Sequence, residues 1–330
     1  MKIAVLGAGS WGVTLAALLL ENGNDTVVWE FDPERAQALQ DRKMRPFAGG
    51  ADLPPNLLIT NSLENVARSE SILFAVPSQH IRSTCEFLKN KGISLNKKLI
   101  VSATKGIENK TLLRMSEVID DVFEGSYKNI AVLSGPSHAE EVCVKVPTAV
   151  VSASINAEIS KKARDVFMND YFRVYTNCDI VGVEIGGALK NVFAIASGIV
   201  DGLKLGDNTK ALVVARGLKE LAKVGSELGA NRETFYGLSG AGDLMVTCFS
   251  KHSRNRSVGQ AVGEGKSLEE AENNLGVVAE GVRNTISAYE IGKKINVELP
   301  IINETYKILF ERKDPLKALN DLMTRDPKYE

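Results

Sequence analysis

The sequence predicts an α/β fold, in which a doubly wound parallel sheet is followed by an all-helical C-terminal domain. Three observations lead to this prediction. Short apolar β-type runs alternate with helical patterns up to about Thr176, a glycine-rich turn follows the first run, and no clear β-type run recurs past Asp179. Such alternation is typical of a parallel sheet with helices on both faces. We therefore expect two domains, residues 1–178 and residues 179–330.

The first domain is predicted from its repeated strand–helix units. Residues 2–6 form a short apolar run, residues 13–21 form a helical pattern closed by Asn22 and Gly23, and TVVWE is the second strand. Later strands are expected at residues 57–60, 71–76 and 98–103, and helices at residues 62–68 and 77–89. The strand-like runs IAVLSG and TAVVSAS, on either side of the helical HAEEVC, continue the alternation to the end of the domain.

The second domain is predicted to be helical throughout. Its helical segments are longer than those of the first domain, and Asp179 is a suitable N-cap for the first of them. The segments are expected at residues 180–203, 209–228, 253–263, 268–275, 282–294 and 301–310. We place the join between the two domains near residues 177–179.

Composition and charge exclude several functional classes. The 330 residues carry 40 basic and 41 acidic side chains, so no overall field attracts nucleic acid or an anionic membrane. The apolar run at residues 13–20 is shorter than the roughly 20 residues that a membrane span needs. The four cysteines lie far apart without a CxxC pair, which argues against a zinc site and a disulfide framework. We expect a cytoplasmic protein without a metal ion or membrane span, and a homodimer is compatible with the sequence.

A glycine motif follows the first strand. Gly7, Gly9 and Gly12 form G-x-G-x-x-G between a strand and a helix, the context in which this motif binds a dinucleotide in a Rossmann-like domain. The amides of Ser10 and Trp11 would lie at the positive end of the helix, where a pyrophosphate binds. The alternative is a glycine-rich turn that binds nothing.

The end of the second strand bears on the choice of dinucleotide. Glu30 stands about where an acidic residue meets the adenosine ribose of NAD, and a carboxylate there repels the 2′-phosphate of NADP. Phe31 follows and offers no charge to a phosphate, although Arg35 is near in sequence. We therefore expect NAD(H) to be favoured over NADP(H), unless Glu30 is only a solvated charge at the strand end.

Polar groups also follow two later strands. Lys105 lies after one strand, and Gly135 and Ser137 lie after another. In open parallel sheets, ligands bind at the carboxyl ends of the strands, so these residues favour an anionic substrate. The alternative for Lys105 is a solvated loop charge.

The run VEIGGALKNVFAIASG places one ammonium, Lys190, among small and apolar residues. Gly186 and Gly187 lie one helical turn earlier and would leave room for a ligand beside it. A lysine becomes a useful general acid when burial and nearby cations lower the pKa of its amine. The alternative is a lysine whose ammonium extends from a buried helix to solvent.

The segment GLSGAGDLMVTCFSKHSRNRS favours a local anion site. Its glycines precede Asp243, and Arg254 and Asn255 follow Ser253 at an expected helix start, where side chains and backbone amides can bind a phosphate together. A solvated basic turn is the alternative.

These residues resemble those of the bacterial type of NAD(P)-dependent glycerol-3-phosphate dehydrogenase over essentially the whole chain. The motifs occur in order: GAGSWG, SATKGI, LSGPSHAEEV, EIGGALKNV, GLSGAGDL, HSRNR and VAEGV. The resemblance implies reversible reduction of dihydroxyacetone phosphate to sn-glycerol 3-phosphate, which supplies glycerophospholipid synthesis. It also implies that Lys190 supplies the proton as hydride reaches C2.

The resemblance also implies which residues bind each ligand. The dinucleotide contacts would be Ser10, Trp11, Lys105, Ala139, Arg254, Val278 and Glu280. The substrate contacts would be Lys105, Gly135, Ser137, Lys190, Asp243, Ser253, Arg254 and Asn255. One departure is Phe31, where members usually carry Arg or His, and it puts the tolerance of NADP in doubt.

Two other classes of protein share parts of this pattern. β-Hydroxyacid dehydrogenases and ketopantoate reductase pair a Rossmann-like domain with a helical domain and a lysine, but they act on carboxylates. A non-catalytic NADH-sensing module would need the glycine motif and would have no use for Lys190 or Asp243.

Overall fold

A computed structural model describes residues 1–42, 52–275, 279–327 and 329 of the chain, with only the backbone of residues 274 and 275. By their contacts, the residues group into two compact units. The first contains Met1–Glu108 and Leu113–Glu184, and the second contains Asn109–Leu112 and Ile185–Glu330.

The first unit is built on a sheet in which eight strands are described, in the order β3-β2-β1-β4-β5-β6-β7-β8. The strands are β1 Lys2–Leu6, β2 Asp25–Trp29, β3 Leu58–Thr60, β4 Ser71–Phe74, β5 Leu99–Ser102, β6 Ile130–Ser134, β7 Thr148–Ala153 and β8 Phe172–Asn177. The strand order changes direction at β1, which lies between β2 and β4. Ligands of doubly wound sheets bind at such a position, beyond the carboxyl ends of the strands.

Helices accompany this sheet and supply much of its apolar core. They are α1 Ser10–Glu21, α2 Pro33–Gln40, α3 Leu63–Ala67, α4 Ile81–Asn90, α5 Met115–Val122, α6 Ala139–Val142 and α7 Ala157–Phe167. Val5 of β1, Leu15 and Leu19 of α1 and Phe167 of α7 belong to one buried cluster. The predicted doubly wound, Rossmann-like architecture is confirmed.

One strand departs from the parallel arrangement. β7 pairs antiparallel with β6, whereas the other neighbouring strands of the described sheet pair in parallel. A parallel connection needs a crossover, usually a helix, that returns the chain to the starting edge of the sheet. Because α6 has only four residues, it is too short to make that return.

The second unit is helical in its described residues, as predicted. Its helices are α8 Ile180–Gly202, α9 Gly206–Glu227, α10 Asp243–Phe249, α11 Arg254–Gly263, α12 Leu268–Leu275, α13 Glu280–Lys294, α14 Pro300–Phe310 and α15 Pro315–Met323. α10 and α15, of seven and nine residues, were not predicted. A π-helical turn, Leu238–Gly242, leads directly into α10.

α8 is a long apolar helix of 23 residues. It is long and apolar enough to cross a membrane by length and composition, but 94% of its apolar window is buried within the protein. It begins in the first unit and continues into the second, so the two units divide between Glu184 and Ile185, a few residues after the predicted join. Glu184 belongs to the first unit because it accepts hydrogen bonds from the amide and hydroxyl of Ser116.

A buried carboxyl group links α9 to α14. Glu220 is only 7% exposed and accepts hydrogen bonds from the amides of Ile301 (2.7 Å) and Ile302 (3.2 Å) at the start of α14. Burial raises the pKa of Glu220 to about 7, against the lowering effect of these amides and of Arg216 and Arg325. Its stabilising contribution is therefore complete below its ordinary pKa of 4.5 and is lost as the pH rises through about 7.

Replacing Glu220 with glutamine should remove this pH dependence. Relative to the variant, the native protein should lose about 3 kcal/mol of unfolding free energy between pH 4.5 and pH 7.5. Urea unfolding at both pH values measures the difference. Glu227→Gln, on the exposed face of α9, is the matched control. If the unfolding free energies of the native protein and Glu220→Gln differ by the same amount at both pH values, the expectation is contradicted.

Candidate active site

The glycine turn after β1 has a backbone that only glycine fits at two of its positions. Gly7 has a φ of +106°, and a Cβ at Gly12 would lie 2.1 Å from the carbonyl oxygen of Gly7, so both positions require glycine. A Cβ at Gly9, in contrast, would meet no atom within 4 Å. Because Gly9 caps α1 without a side-chain hydrogen bond, a pyrophosphate can approach the first amides of the helix.

A second feature of the same turn suits a polar ligand. The indole Nε1 of Trp11 is buried and has no hydrogen-bond partner among the described residues. Buried donors are normally paired. The turn therefore offers both open backbone and an unused donor, and these observations fit a bound dinucleotide.

Glu30 lies directly beside this turn. Its Oε2 accepts a hydrogen bond from the amide of Ala8 at 3.2 Å and lies 3.4 Å from Nε of Arg35. Nη2 of Arg35 in turn donates to the carbonyl oxygen of Ala8 at 3.3 Å. The carboxylate is therefore fixed at the end of β2, and the adjacent guanidinium is tied to it.

Phe31 presents an aromatic surface at the same strand end. Its side chain is 65% exposed, and its ring packs edge-on against Trp29 and Phe87 at centroid distances of 6.1 and 5.5 Å. Because Trp29 and Phe87 pack against it, the exposed Phe31 ring presents an ordered apolar surface next to Glu30 in the chain.

Three residues expected to bind substrate lie together at the carboxyl ends of β5 and β6. Nζ of Lys105 and Oγ of Ser137 each donate to the carbonyl oxygen of Gly135 at 2.9 Å. Gly135 has a φ of +148°, and a Cβ there would lie 2.9 Å from Cα of Val150. Ala139 begins α6 immediately afterwards.

Lys190 is buried in the second unit and forms an ion pair there. It is 6% exposed, and its Nζ donates to Oδ1 of Asp243, which is fully buried. Nζ also donates to Oγ1 of Thr247 at 2.9 Å, and this hydroxyl donates to the backbone oxygen of Asp243 at 2.6 Å. The ammonium is therefore held by an anion and a hydroxyl one helical turn apart on α10.

Close backbone packing makes this ion pair attainable. A Cβ at Gly186, one turn before Lys190 on α8, would lie 2.4 Å from the carbonyl oxygen of Ser239. The π-helical turn before α10 can approach α8 only because Gly186 lacks a side chain. π-Helical turns occur frequently at functional sites, and here the turn places Asp243 opposite Lys190.

Asn255, at the start of α11, joins three helices. Its Nδ2 donates to Oδ1 of Asn191 on α8 at 2.9 Å, and its Oδ1 accepts from the amide of Gly281 on α13 at 2.8 Å. Ser253 caps α11, and its Oγ accepts from the amide of Arg256 at 3.2 Å. The expected phosphate-binding turn is thus anchored to α8, the helix that carries Lys190, and to α13.

Three further residues expected to bind ligands are Arg254, Glu280 and Val278. Arg254 is exposed as the first residue of α11, and Glu280 is the first residue of α13. Val278 lies outside the described residues. Within the described ranges, no group of three or more His, Cys, Asp or Glu residues could hold a metal ion.

Thr247 and Asn191 are functional candidates that the sequence reasoning did not identify. Thr247 lies four residues after Asp243 on α10, and Asn191 follows Lys190. The i, i+4 spacing from Asp243 was a usable signal for Thr247, but it required recognising α10 as a helix.

Comparisons with known proteins agree over both units. Residues 2–160 match the family described as NAD-dependent glycerol-3-phosphate dehydrogenase N-terminus, and residues 179–320 match the corresponding C-terminus. The glycerol-3-phosphate dehydrogenase [NAD(P)+] of Fusobacterium nucleatum is 45% identical, over all of this chain and 98% of the relative. The enzyme of the same name from Pelodictyon phaeoclathratiforme is 47% identical, over all of this chain and 99% of the relative.

Solved structures give the same result. The crystal structure of glycerol-3-phosphate dehydrogenase from Coxiella burnetii has a TM-score of 0.91 and 36% identity, covering 98% of each chain. A 2-dehydropantoate 2-reductase from Geobacter metallireducens has a TM-score of 0.62 and 14% identity, covering 95% of this chain and all of that chain. At that identity the likeness concerns the fold alone.

Proposed function

We propose the following chemistry for this chain, which belongs to the family of NAD-dependent glycerol-3-phosphate dehydrogenases. It is an oxidoreductase that reversibly reduces dihydroxyacetone phosphate to sn-glycerol 3-phosphate with an NAD(P) cofactor, and it supplies glycerophospholipid synthesis. The observation that carries the chemical assignment is the buried ammonium of Lys190, held by Asp243 and Thr247.

Lys190 is the proposed proton donor. When bound, NADH supplies a hydride to C2 of the substrate. Negative charge then develops on the C2 oxygen, and the ammonium of Lys190 donates the proton that neutralises it. In the reverse direction the neutral amine takes this proton back. Asp243 and Thr247 keep Nζ in one position, which lowers the cost of orienting the proton donor during the reaction.

The start of α11 is the proposed phosphate-binding turn. Arg254 can donate forked hydrogen bonds to the phosphate, and the first amides of α11 face an anion favourably. Nδ2 of Asn255 already donates one of its two hydrogens to Asn191, so Asn255 would donate the other to the phosphate. Ser253 and Asp243 are proposed as further substrate contacts. In the first unit we propose the same for Lys105, Gly135 and Ser137.

The dinucleotide is proposed to bind the glycine turn of the first unit. The open backbone at Gly9 and the unpaired indole Nε1 of Trp11 support this placement. The cofactor contacts that we propose are Gly7, Gly9, Ser10, Trp11, Gly12, Glu30, Phe31, Lys105, Ala139, Arg254, Val278 and Glu280. We propose a preference for NADH over NADPH, because the fixed carboxylate of Glu30 repels a 2′-phosphate and Phe31 adds no positive charge.

Glu30→Gln should weaken this cofactor preference. The variant keeps the shape of the side chain but loses its charge, so Arg35 loses its ion-pair partner. We expect kcat/KM for NADH to fall about tenfold. The ratio of kcat/KM with NADH to kcat/KM with NADPH should fall by at least as much. Initial rates with each cofactor measure both quantities. Glu34→Gln, an exposed glutamate on α2, is the matched control. An unchanged ratio in Glu30→Gln would show that Glu30 does not select the cofactor.

Initial rates of NADH and NADPH oxidation by the purified protein test the function. Dihydroxyacetone phosphate is the proposed substrate, and ketopantoate and a 3-oxo acid represent the carboxylate reductases. Turnover with dihydroxyacetone phosphate alone is the expected result. Turnover with a carboxylate substrate instead, or binding of NADH without any turnover, would replace the proposal with a carboxylate reductase or a sensing module.

We also propose a cellular location and an oligomeric state for the protein. None of the four cysteines forms a disulfide, which supports a cytoplasmic location. A homodimer is proposed as the assembly, and light scattering of the purified protein tests it by measuring the molecular mass in solution.

A further inference from the structure

Four glycines bring the lysine-bearing helix α8 into backbone contact with α11. Gly198 and Gly202 of α8 face Gly259 and Gly263 of α11. A Cβ at Gly198 would lie 2.0 Å from the carbonyl oxygen of Arg256, and a Cβ at Gly259 would lie 2.0 Å from a carbonyl oxygen of α8. No side chain fits at these separations, so the two helices are packed directly against each other.

An ion-pair cluster lies beside this contact. Oδ2 of Asp201, on α8, accepts from Nε of Arg256 at 2.6 Å and from Nζ of Lys210 at 2.8 Å. Lys210 is only 7% exposed, and its Nζ also lies 5.2 Å from the ring centroid of Phe249. One carboxylate therefore serves two largely buried cations, and the proposed reaction uses none of the three side chains.

Arg256 connects the cluster to the phosphate-binding turn. It lies in the first turn of α11, directly after Arg254 and Asn255, and its amide donates to the capping hydroxyl of Ser253. The Asp201–Arg256 ion pair thus ties the first turn of α11 to the helix that carries Lys190. The glycine contact sets the separation of the two helices, and the ion pair adds a directed bond next to the turn itself.

We propose that Asp201 is a positioning residue for the substrate phosphate, acting through Arg256. This inference rests on the proposed function and extends it to residues that contact no ligand. Asp201 holds the first turn of α11 so that Arg254, Asn255 and the helix amides face the phosphate. Without the carboxylate, Arg256 and Lys210 would repel each other and the turn would lose its anchor on α8.

Asp201→Asn should therefore impair phosphate recognition more than chemistry. KM for dihydroxyacetone phosphate should rise about tenfold while kcat stays within about threefold, because the lost interaction is made equally in the ground and transition states. With dihydroxyacetone, which lacks the phosphate, kcat/KM should stay within about twofold. Damage to the fold alone would lower kcat/KM for both substrates alike.

Two more variants make the test decisive. Arg256→Met removes the other partner and should raise KM in the same way, and it decides the question if Asp201→Asn does not fold. Lys210→Met leaves the Asp201–Arg256 pair in place and should keep the native KM. An unchanged KM in Asp201→Asn and Arg256→Met, or equal losses with both substrates, would overturn the inference. If the native protein does not reduce dihydroxyacetone phosphate at all, the proposed function itself has failed.

Discussion

Lys190→Met should lower kcat for dihydroxyacetone phosphate by about 10³-fold, the contribution of a well-placed general acid. Methionine has a similar length and suits an apolar helix, but it carries no proton for the C2 oxygen. The dissociation constant for NADH should stay at its native value, because the glycine turn is untouched. Stopped-flow measurement of single turnovers separates the chemical step from product release, and fluorescence titration measures NADH binding.

The second buried lysine of the helical unit provides the control for this result. Lys210→Met removes an ammonium of similar burial that is paired with Asp201 rather than Asp243, and it should keep kcat within about threefold of the native value. If Lys190→Met keeps more than a tenth of the native kcat, Lys190 is not the proton donor. If the native protein binds NADH but has no turnover to lose, the sensing module is favoured.

Asp243→Asn is expected to have the next largest effect. The variant leaves the ammonium of Lys190 buried without an anion, so Nζ loses its fixed position, and kcat should fall about 10²-fold. The unfolding free energy should also fall by about 3 kcal/mol, because an unpaired buried charge is costly. Steady-state kinetics and urea unfolding at neutral pH measure the two losses.

Two further variants separate the loss of the fixed Nζ position from the burial of an unpaired charge. Thr247→Val keeps the shape of the side chain and the Lys190–Asp243 ion pair, so kcat should fall only about tenfold. The double variant Lys190→Met/Asp243→Asn leaves no unpaired charge buried and should be more stable than Asp243→Asn, although its kcat should be as low as that of Lys190→Met. Additive losses of stability in the double variant would show that the two side chains are not energetically coupled.

Sequence reasoning succeeded where the information is local. The strand–helix alternation, the glycine turn before α1 and the long apolar helix α8 depend on neighbours along the chain, and periodicity reports such neighbours. The helices α7, α10 and α15 were not predicted, although the eight-residue α12 was, so length alone does not decide whether a helix shows in the sequence. The antiparallel β7 was missed because strand direction depends on how the chain returns across the sheet.

The site shows the same division. Lys190 and Asp243 were predicted because an ionisable group in an apolar or glycine-rich run is unusual in itself, and Arg254 and Asn255 because they stand at an expected helix start. Thr247 and Asn191, which contact Lys190 and Asn255, were not predicted, because neither stands out from its neighbours in the sequence. The contact of Lys190 with Thr247 joins residues 57 positions apart, and that of Asn191 with Asn255 joins residues 64 positions apart, which no local pattern encodes.

The sequence by itself determined the fold class, the glycine turn proposed to bind the dinucleotide and the lysine on which the proposed chemistry depends. Only the tertiary structure decided what holds that lysine and what anchors the phosphate-binding turn. The physical reason is that patterning reflects the burial and local conformation of each segment. The pairing of one buried charge with another depends on helix packing, which glycines such as Gly186 and Gly198 permit by bringing backbones into contact.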